Sequence, residues 1–198
     1  MQIRLACSTV KRVVVSNRNK QIQRGLDIPT LSVFRKKESN MRGCLQHDEN
    51  DCGLACILTI CKFLKICVDE TALRKNIFLG NDGLSLYGIT EVFRTIGMKS
   101  LAVEGTNIEL YSLLSEEKKP IIIMINEDDE YHYVVLYKTN NSKVFLWDPN
   151  KGKRIITKEY FDLIWSSYAI IITEILEIDR VVLPKKSVCW TALFQQKK

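Results

Sequence analysis

Long apolar runs are missing from this chain. Stretches such as Ile121–Ile125 and Tyr168–Ile172 reach five residues, far short of the roughly 20 that a membrane-crossing helix needs. The N-terminal stretch has no apolar region of the signal-peptide kind. No glycine-rich loop ends in Gly-Lys-Ser or Gly-Lys-Thr, so ATP hydrolysis on a P-loop is not expected of these 198 residues. Cys-x-x-Cys pairs are absent as well. The seven cysteines therefore lack the spacing of a zinc site, and neither a metal nor another cofactor is expected. Seven is an odd number, and four of them lie within the sixteen residues Cys52 to Cys67. That crowding fits a reduced, cytosolic protein better than a disulfide scaffold. No internal repeat is evident. Histidine is scarce, with His47 and His132 the only two.

A basic body is absent too, although the net charge of +6 suggests one. Residues 1–43 carry ten Lys/Arg and two Asp/Glu, and residues 185–198 carry four Lys and no acid. The stretch between, 44–184, holds fifteen basic and twenty-one acidic residues, a net of −6. A nucleic-acid-binding domain carries its positive charge on the folded body, so nucleic acid is not an expected partner. The N-terminal charge reads as a solvated tail, with weak attraction to anionic lipid as the sharper alternative.

What is present suffices for one globular domain with a sizeable core, since 46% of the residues are hydrophobic. Residues 1–40 are a basic extension of uncertain structure, with a short strand-like run at Arg12-Val13-Val14-Val15. Met41 stands where a natural start would fit. An apolar helix is expected over 51–66, capped by Asp51 and buried on nearly all sides. Asp69 caps a second helix to about Arg74. After the turn Gly80-Asn81-Asp82-Gly83, Ser85 caps a third, Leu86 to Ile96, stopped by Gly97. A strand follows at Lys99 to Glu104, then a short helix from Asn107 to near Leu114. The second half reads as strands: Ile121–Ile125, Tyr131–Tyr137, Lys143–Trp147, Arg154–Ile156 and Tyr168–Thr173. Glu127-Asp128-Asp129-Glu130 reads as an acidic loop, Asn140-Asn141-Ser142 as a hairpin turn, and Thr157 as the cap of a helix to Ile164. Helices first and an antiparallel sheet after them is an α+β order.

Cys52 stands where a polar run meets the first helix. The unpaired N–H groups and the dipole of a helix start favour a thiolate over a thiol. A cysteine taken at random is more often a small core hydrophobe, and Cys56, Cys61 and Cys67 are read that way. Cys52 differs by its polar edge and its candidate partners. His132 opens a strand, and Asp148 ends the strand that follows in the hairpin, so adjacent antiparallel strands can bring the two together. Cys52 is then the nucleophile, His132 its base and later the acid, and Asp148 the residue that orients the imidazole. Gln46, six residues before Cys52, can offer its amide to a developing oxyanion. Each has a plainer reading: His132 as a satisfied strand residue, Asp148 as a turn former before Pro149, Gln46 as surface. His47 keeps its plainer reading, an exposed loop residue.

Taken in order, Gln46, Asp51-Cys52-Gly53 with Ala55-Cys56, His132-Tyr133-Val134-Val135 and Asp148-Pro149 with Gly152 closely resemble the bacteriocin-processing cysteine peptidases, the papain-like domains of peptidase-containing ABC transporters. Asp82-Gly83-Leu84-Ser85 and the strand after Pro120 fit as well, and the likeness covers about residues 41–175. It implies a papain-like fold over 41–176, with 177–198 a tail or linker stub. It implies that Cys52, His132 and Asp148 form a catalytic triad and that Gln46 serves the oxyanion. It implies a precursor leader peptide as substrate, of a bacteriocin or lanthipeptide, bound as an amphipathic helix and cut after a double-glycine-type motif. Transmembrane and ATP-binding parts of an ABC transporter are implied partners. A docking domain that binds the leader without cutting it is the rival, but relatives of that kind lack the cysteine or the histidine, and both are kept here. An acyl- or peptidyl-transferase would share the same acyl-enzyme.

Overall fold

The apolar runs of the second half are continuous because their strands are covered on both faces. The computed structural model describes residues 11–12, 41–77 and 83–176. Its seven strands are β1 (Lys11–Arg12), β2 (Met98–Glu104), β3 (Ile121–Glu127), β4 (Glu130–Thr139), β5 (Lys143–Asp148), β6 (Gly152–Thr157) and β7 (Trp165–Ile175). They form one sheet in the order β1-β2-β7-β3-β4-β5-β6. Only the β1–β2 pair is parallel.

Side chains alternate across a pleated strand. Ile122 and Met124 of β3, with Tyr133, Val135 and Tyr137 of β4, enter one core. Ile121, Ile123, Ile125, Val134 and Leu136 enter the other. Helices α1 (Cys52–Leu64), α2 (Glu70–Asn76) and α3 (Leu86–Thr95) complete the first core, and α4 (Asn107–Glu117) and α5 (Lys158–Ile164) the second. The architecture is helices packed on a mainly antiparallel sheet, as the order of elements predicts. The last strand, β7, does not sit at an edge: it lies between β2 and β3 and joins the two parts of the sheet. Among the described residues no helix is long and apolar enough to cross a membrane.

Several local expectations need correction. Helix α1 ends at Leu64, because Lys65 turns into the left-handed region (φ 59°) and the Ile66 N–H closes back on the Cys61 carbonyl at 2.8 Å. The cap of α4 is Thr106, in a reciprocal box with Glu109, and the helix runs on to Glu117. The acidic stretch is a two-residue turn: Asp128 and Asp129 both have positive φ, 54° and 63°, which suits the right-handed twist of a tight hairpin. Asp69, Ser85 and Thr157 do cap α2, α3 and α5. Cys56 and Cys61 are buried free thiols and Cys44 and Cys52 partly buried free ones, whereas Cys67, past the end of α1, is disulfide-bonded. Val13–Val15, the turn residues Gly80–Asp82 and most of both tails lie outside the described residues.

Asp51 holds the N-cap position of α1, but its side chain makes no capping hydrogen bond. Its carboxylate is fully buried and receives Arg74 Nη1 of α2, 2.9 Å from both oxygens. It also accepts the His47 N–H at 3.1 Å. Asp51→Ala is expected to cost about 2 kcal/mol, because it removes one of the two carboxylates that hold Arg74, Glu70 staying on Nε at 2.9 Å, and leaves the His47 N–H without its acceptor. Urea unfolding would measure this, and a loss under about 1 kcal/mol would show the pair to be dispensable.

Candidate active site

The register of β4 and β5 sets Val135 opposite Trp147, so the ends that carry His132 and Asp148 lie together. His132 Nε2 is 2.9 Å from Asp148 Oδ1. Cys52 lies near enough to the imidazole to contribute, with Asp148, to the upward shift of its pKa. Cys52 sits in the first turn of α1, the helix packed across β4. Exposure falls along the series: Cys52 is half-buried, the His132 side chain is 22% exposed and that of Asp148 1%.

A strap of residues ties this helix to the sheet. The Cys44 N–H donates to Thr59 Oγ1 of α1 at 2.8 Å, and the Cys44 carbonyl accepts Trp147 Nε1 of β5 at 2.9 Å. Gly43 permits this closeness, since a Cβ there would stand 2.6 Å from Thr59 Oγ1 and collide with the Trp147 indole. Two residues after Cys44, the Gln46 N–H donates to the Pro149 carbonyl at 2.9 Å. Gln46 is thereby brought beside the turn that follows Asp148. Its Oε1 is buried, and no donor among the described residues reaches it. His47 stays outside, mostly exposed and 3.9 Å from Glu70 Oε1.

Burial disfavours the charged imidazole, but the hydrogen bonds from His132 to Asp148 and Cys52 outweigh it and raise its pKa to about 9. Burial pushes the Asp148 carboxyl up as well. His132 and the backbone N–H groups of Asn150 (2.8 Å) and Lys151 (3.2 Å) reverse this and hold it well below the usual carboxylate range. His132, being raised, stabilises the fold fully below its ordinary value near 6.5 and loses that contribution as pH climbs through about 9. Asp148, being depressed, contributes above its ordinary value near 3.8 and loses the contribution as pH falls. Between these limits the site holds a carboxylate and an imidazolium beside the Cys52 sulfur, an arrangement able to favour sulfur for attack. Cys56 contrasts with this. It is fully buried, its thiol donates to the Tyr133 carbonyl at 3.3 Å, and burial raises its pKa well above that of a free thiol.

Two residues behind Asp148 escape a reading of the sequence. Arg154 of β6 donates from Nη1 to Asp148 Oδ2 at 3.0 Å. The same guanidinium grips Glu127 at the end of β3, Nη1 to Oε2 at 3.0 Å and Nη2 to Oε1 at 2.6 Å. Arg154 chiefly, against burial, holds the Glu127 carboxyl down to about 2. Glu127 reads as a loop acid and Arg154 as an ordinary strand residue. One signal was available: Arg154 lies opposite Leu146, two residues from Asp148, so alternation alone sends it to the inner face.

A family model described as the peptidase C39 family matches residues 41–175. The sublancin-168-processing and transport ATP-binding protein SunT of Bacillus subtilis is 30% identical over 142 residues, 71% of this chain and 19% of that protein. The lactococcin-G-processing and transport ATP-binding protein LagD of Lactococcus lactis is 32% identical over 121 residues, 61% and 17% respectively. The chain thus spans less than a fifth of either relative. Among solved structures, the peptidase domain of Streptococcus ComA superposes with TM-score 0.60 at 22% identity, covering 68% of this chain and 98% of that one. A double-glycine-motif protease from an AMS/PCAT transporter, solved with its leader peptide, gives 0.58 at 22%, covering 67% and 91%. By sequence match over most of its length and by the fold that goes with it, the chain belongs to the peptidase C39 family.

Proposed function

We propose that this chain is a cysteine endopeptidase that removes the leader of a bacteriocin or lanthipeptide precursor after a double-glycine-type motif, on the cytoplasmic side of a membrane and coupled to export. The observation that carries this reading is the His132–Asp148 pair at 2.9 Å, with Cys52 beside the imidazole in the first turn of α1. Cys52 attacks the scissile carbonyl, and His132 hands its proton to the departing amine. Asp148 keeps the imidazole turned toward sulfur and steadies its charge. Gln46 and the backbone N–H of Cys52 serve the oxyanion. An acyl-enzyme forms as the peptide bond breaks, and water then releases the leader as a carboxylate. A narrow cleft before Cys52 would select two glycines by excluding any side chain. An amphipathic leader helix would add affinity by burying its apolar face. The transporter-type relatives make transmembrane and ATP-binding parts the natural partners.

Mass spectrometry on a synthetic leader with Gly-Gly before a short core, under reducing conditions, tests this. A single cut after the second glycine is expected, and none when that glycine is replaced by leucine. The rate should decline as pH rises through about 9, where His132 loses the proton it delivers. A rate that stays flat well past that pH would remove His132 from the role. A peptide bound but uncut would favour the docking domain. Neither cutting nor binding across several leaders would dismiss the substrate class.

A further inference from the structure

Every atom that Asp148 offers is already engaged. Oδ1 takes His132 Nε2 and the N–H groups of Asn150 and Lys151, at 2.9, 2.8 and 3.2 Å. Oδ2 faces Arg154. The carboxylate cannot turn about its Cβ–Cγ bond without losing one set or the other. Three donors on Oδ1 fix a position, but a backbone turn alone leaves the plane of the carboxylate free to rock. Arg154 fixes that plane. Its guanidinium is itself immobile, because Glu127 holds it by two points. Glu127 in turn accepts Tyr160 Oη of α5 at 3.1 Å and Lys151 Nζ at 3.3 Å.

We propose that Arg154 is a positioning residue for the proposed active site, a rigid fork between Glu127 and Asp148 that aims Oδ1 at His132. The inference rests on the triad reading above. The choice of arginine follows from geometry: a planar guanidinium can address two carboxylates with fixed directions, whereas an ammonium is a point charge. Glu127 and Asp148 are set against Arg154, His132 and the exposed Lys151. The other titratable groups around the cluster are Cys52 and Cys56 of α1 and Tyr160 of α5.

A proton held between an imidazolium nitrogen and a carboxylate resonates at unusually low field, and this provides a readout that needs no substrate. The full-length chain, labelled with 15N-histidine, would be compared with Arg154→Met and Arg154→Lys at pH 6. His47→Gln assigns the two histidines. The low-field His132 proton is expected in the parent, lost or broadened in Arg154→Met, and weakened in Arg154→Lys. On a leader peptide, kcat should fall about 10- to 100-fold in Arg154→Met with KM changed less than about twofold, as for a slight misplacement of a reacting group. Arg154→Lys should fall between. A resonance and kcat that both survive Arg154→Met overturn the proposal. So does a lost kcat with the resonance intact, which would place the effect elsewhere. Should Arg154→Met fail to fold, Arg154→Lys behaving as the parent in both respects overturns it. If no leader is ever cut, the resonance still decides the positioning role by itself.

Discussion

Cys52→Ala is expected to lower leader cleavage about 10⁵-fold or more, the scale seen when a covalent nucleophile is removed from a triad enzyme. The substitution takes away one sulfur and little else. Residue 52 is half-buried in the first turn of α1, and alanine favours helix, so the fold should be kept. What disappears is the free thiol beside His132 that the proposed mechanism uses to attack. The informative comparison is Cys56→Ala, one turn further along the same helix. That thiol is sealed in the core against the Tyr133 carbonyl, so its removal should be felt in stability and hardly in rate. Steady-state kinetics on both variants, each checked by circular dichroism, separates the roles. Residual cleavage in Cys52→Ala at more than about a hundredth of the parent rate would mean that another group attacks.

Asp148→Asn should reduce kcat about 10⁴-fold, as when the orienting acid of a triad becomes an amide. The cause lies in the donors that converge there. If the new oxygen stays with the Asn150 and Lys151 N–H groups, the new NH₂ points at Arg154, donor against donor. If the amide flips, the NH₂ meets those N–H groups and His132 instead. Neither orientation satisfies both sides, so a stability loss of about 3 kcal/mol is expected at neutral pH. The pH dependence carries a sign. The parent loses its Asp148 contribution as pH falls, because the folded-state pKa is depressed. The gap between parent and variant should therefore narrow on acidification. Urea unfolding from pH 7 downward measures it, and a gap that widens instead would show that Asp148 is not held ionised. A fall in kcat of less than tenfold would remove it from the chemistry.

Much of this arrangement can be read along the chain, and the parts that can share a physical reason. Strands β3 and β4 announce themselves because burial on both faces demands unbroken apolar residues. The closeness of His132 and Asp148 follows from one hairpin, a local fact of register. Asp51 stands at the N-cap as its place before an apolar run suggests, but its carboxylate caps nothing. Only the docking of α2, which delivers Arg74, turns it into a buried ion pair. Glu127 and Arg154 are hidden for a like reason. They lie 27 residues apart on strands that are not neighbours in the sheet, and an ion pair imposes no spacing on a sequence. The place of β7 between β2 and β3 is likewise a matter of which edge was vacant.

Asp148 Oδ1 has a consequence for anyone who maps this protein by mutational scanning. One oxygen closes the turn through Asn150 and Lys151 and also meets His132. The turn ends at Gly152, whose φ of 78° suits few other residues. Damage to Asn150 or Gly152 would thus travel through a single atom to the imidazole. A screen scored on activity would rank such positions with the nucleophile, although neither side chain need touch a substrate. Two scores per variant, abundance and turnover, would still leave them misfiled, since the turn can loosen without unfolding the chain. Epistasis with His132 is the discriminating statistic. Once His132 is gone, further damage to the turn should cost nothing more in rate, whereas a true substrate contact would continue to count.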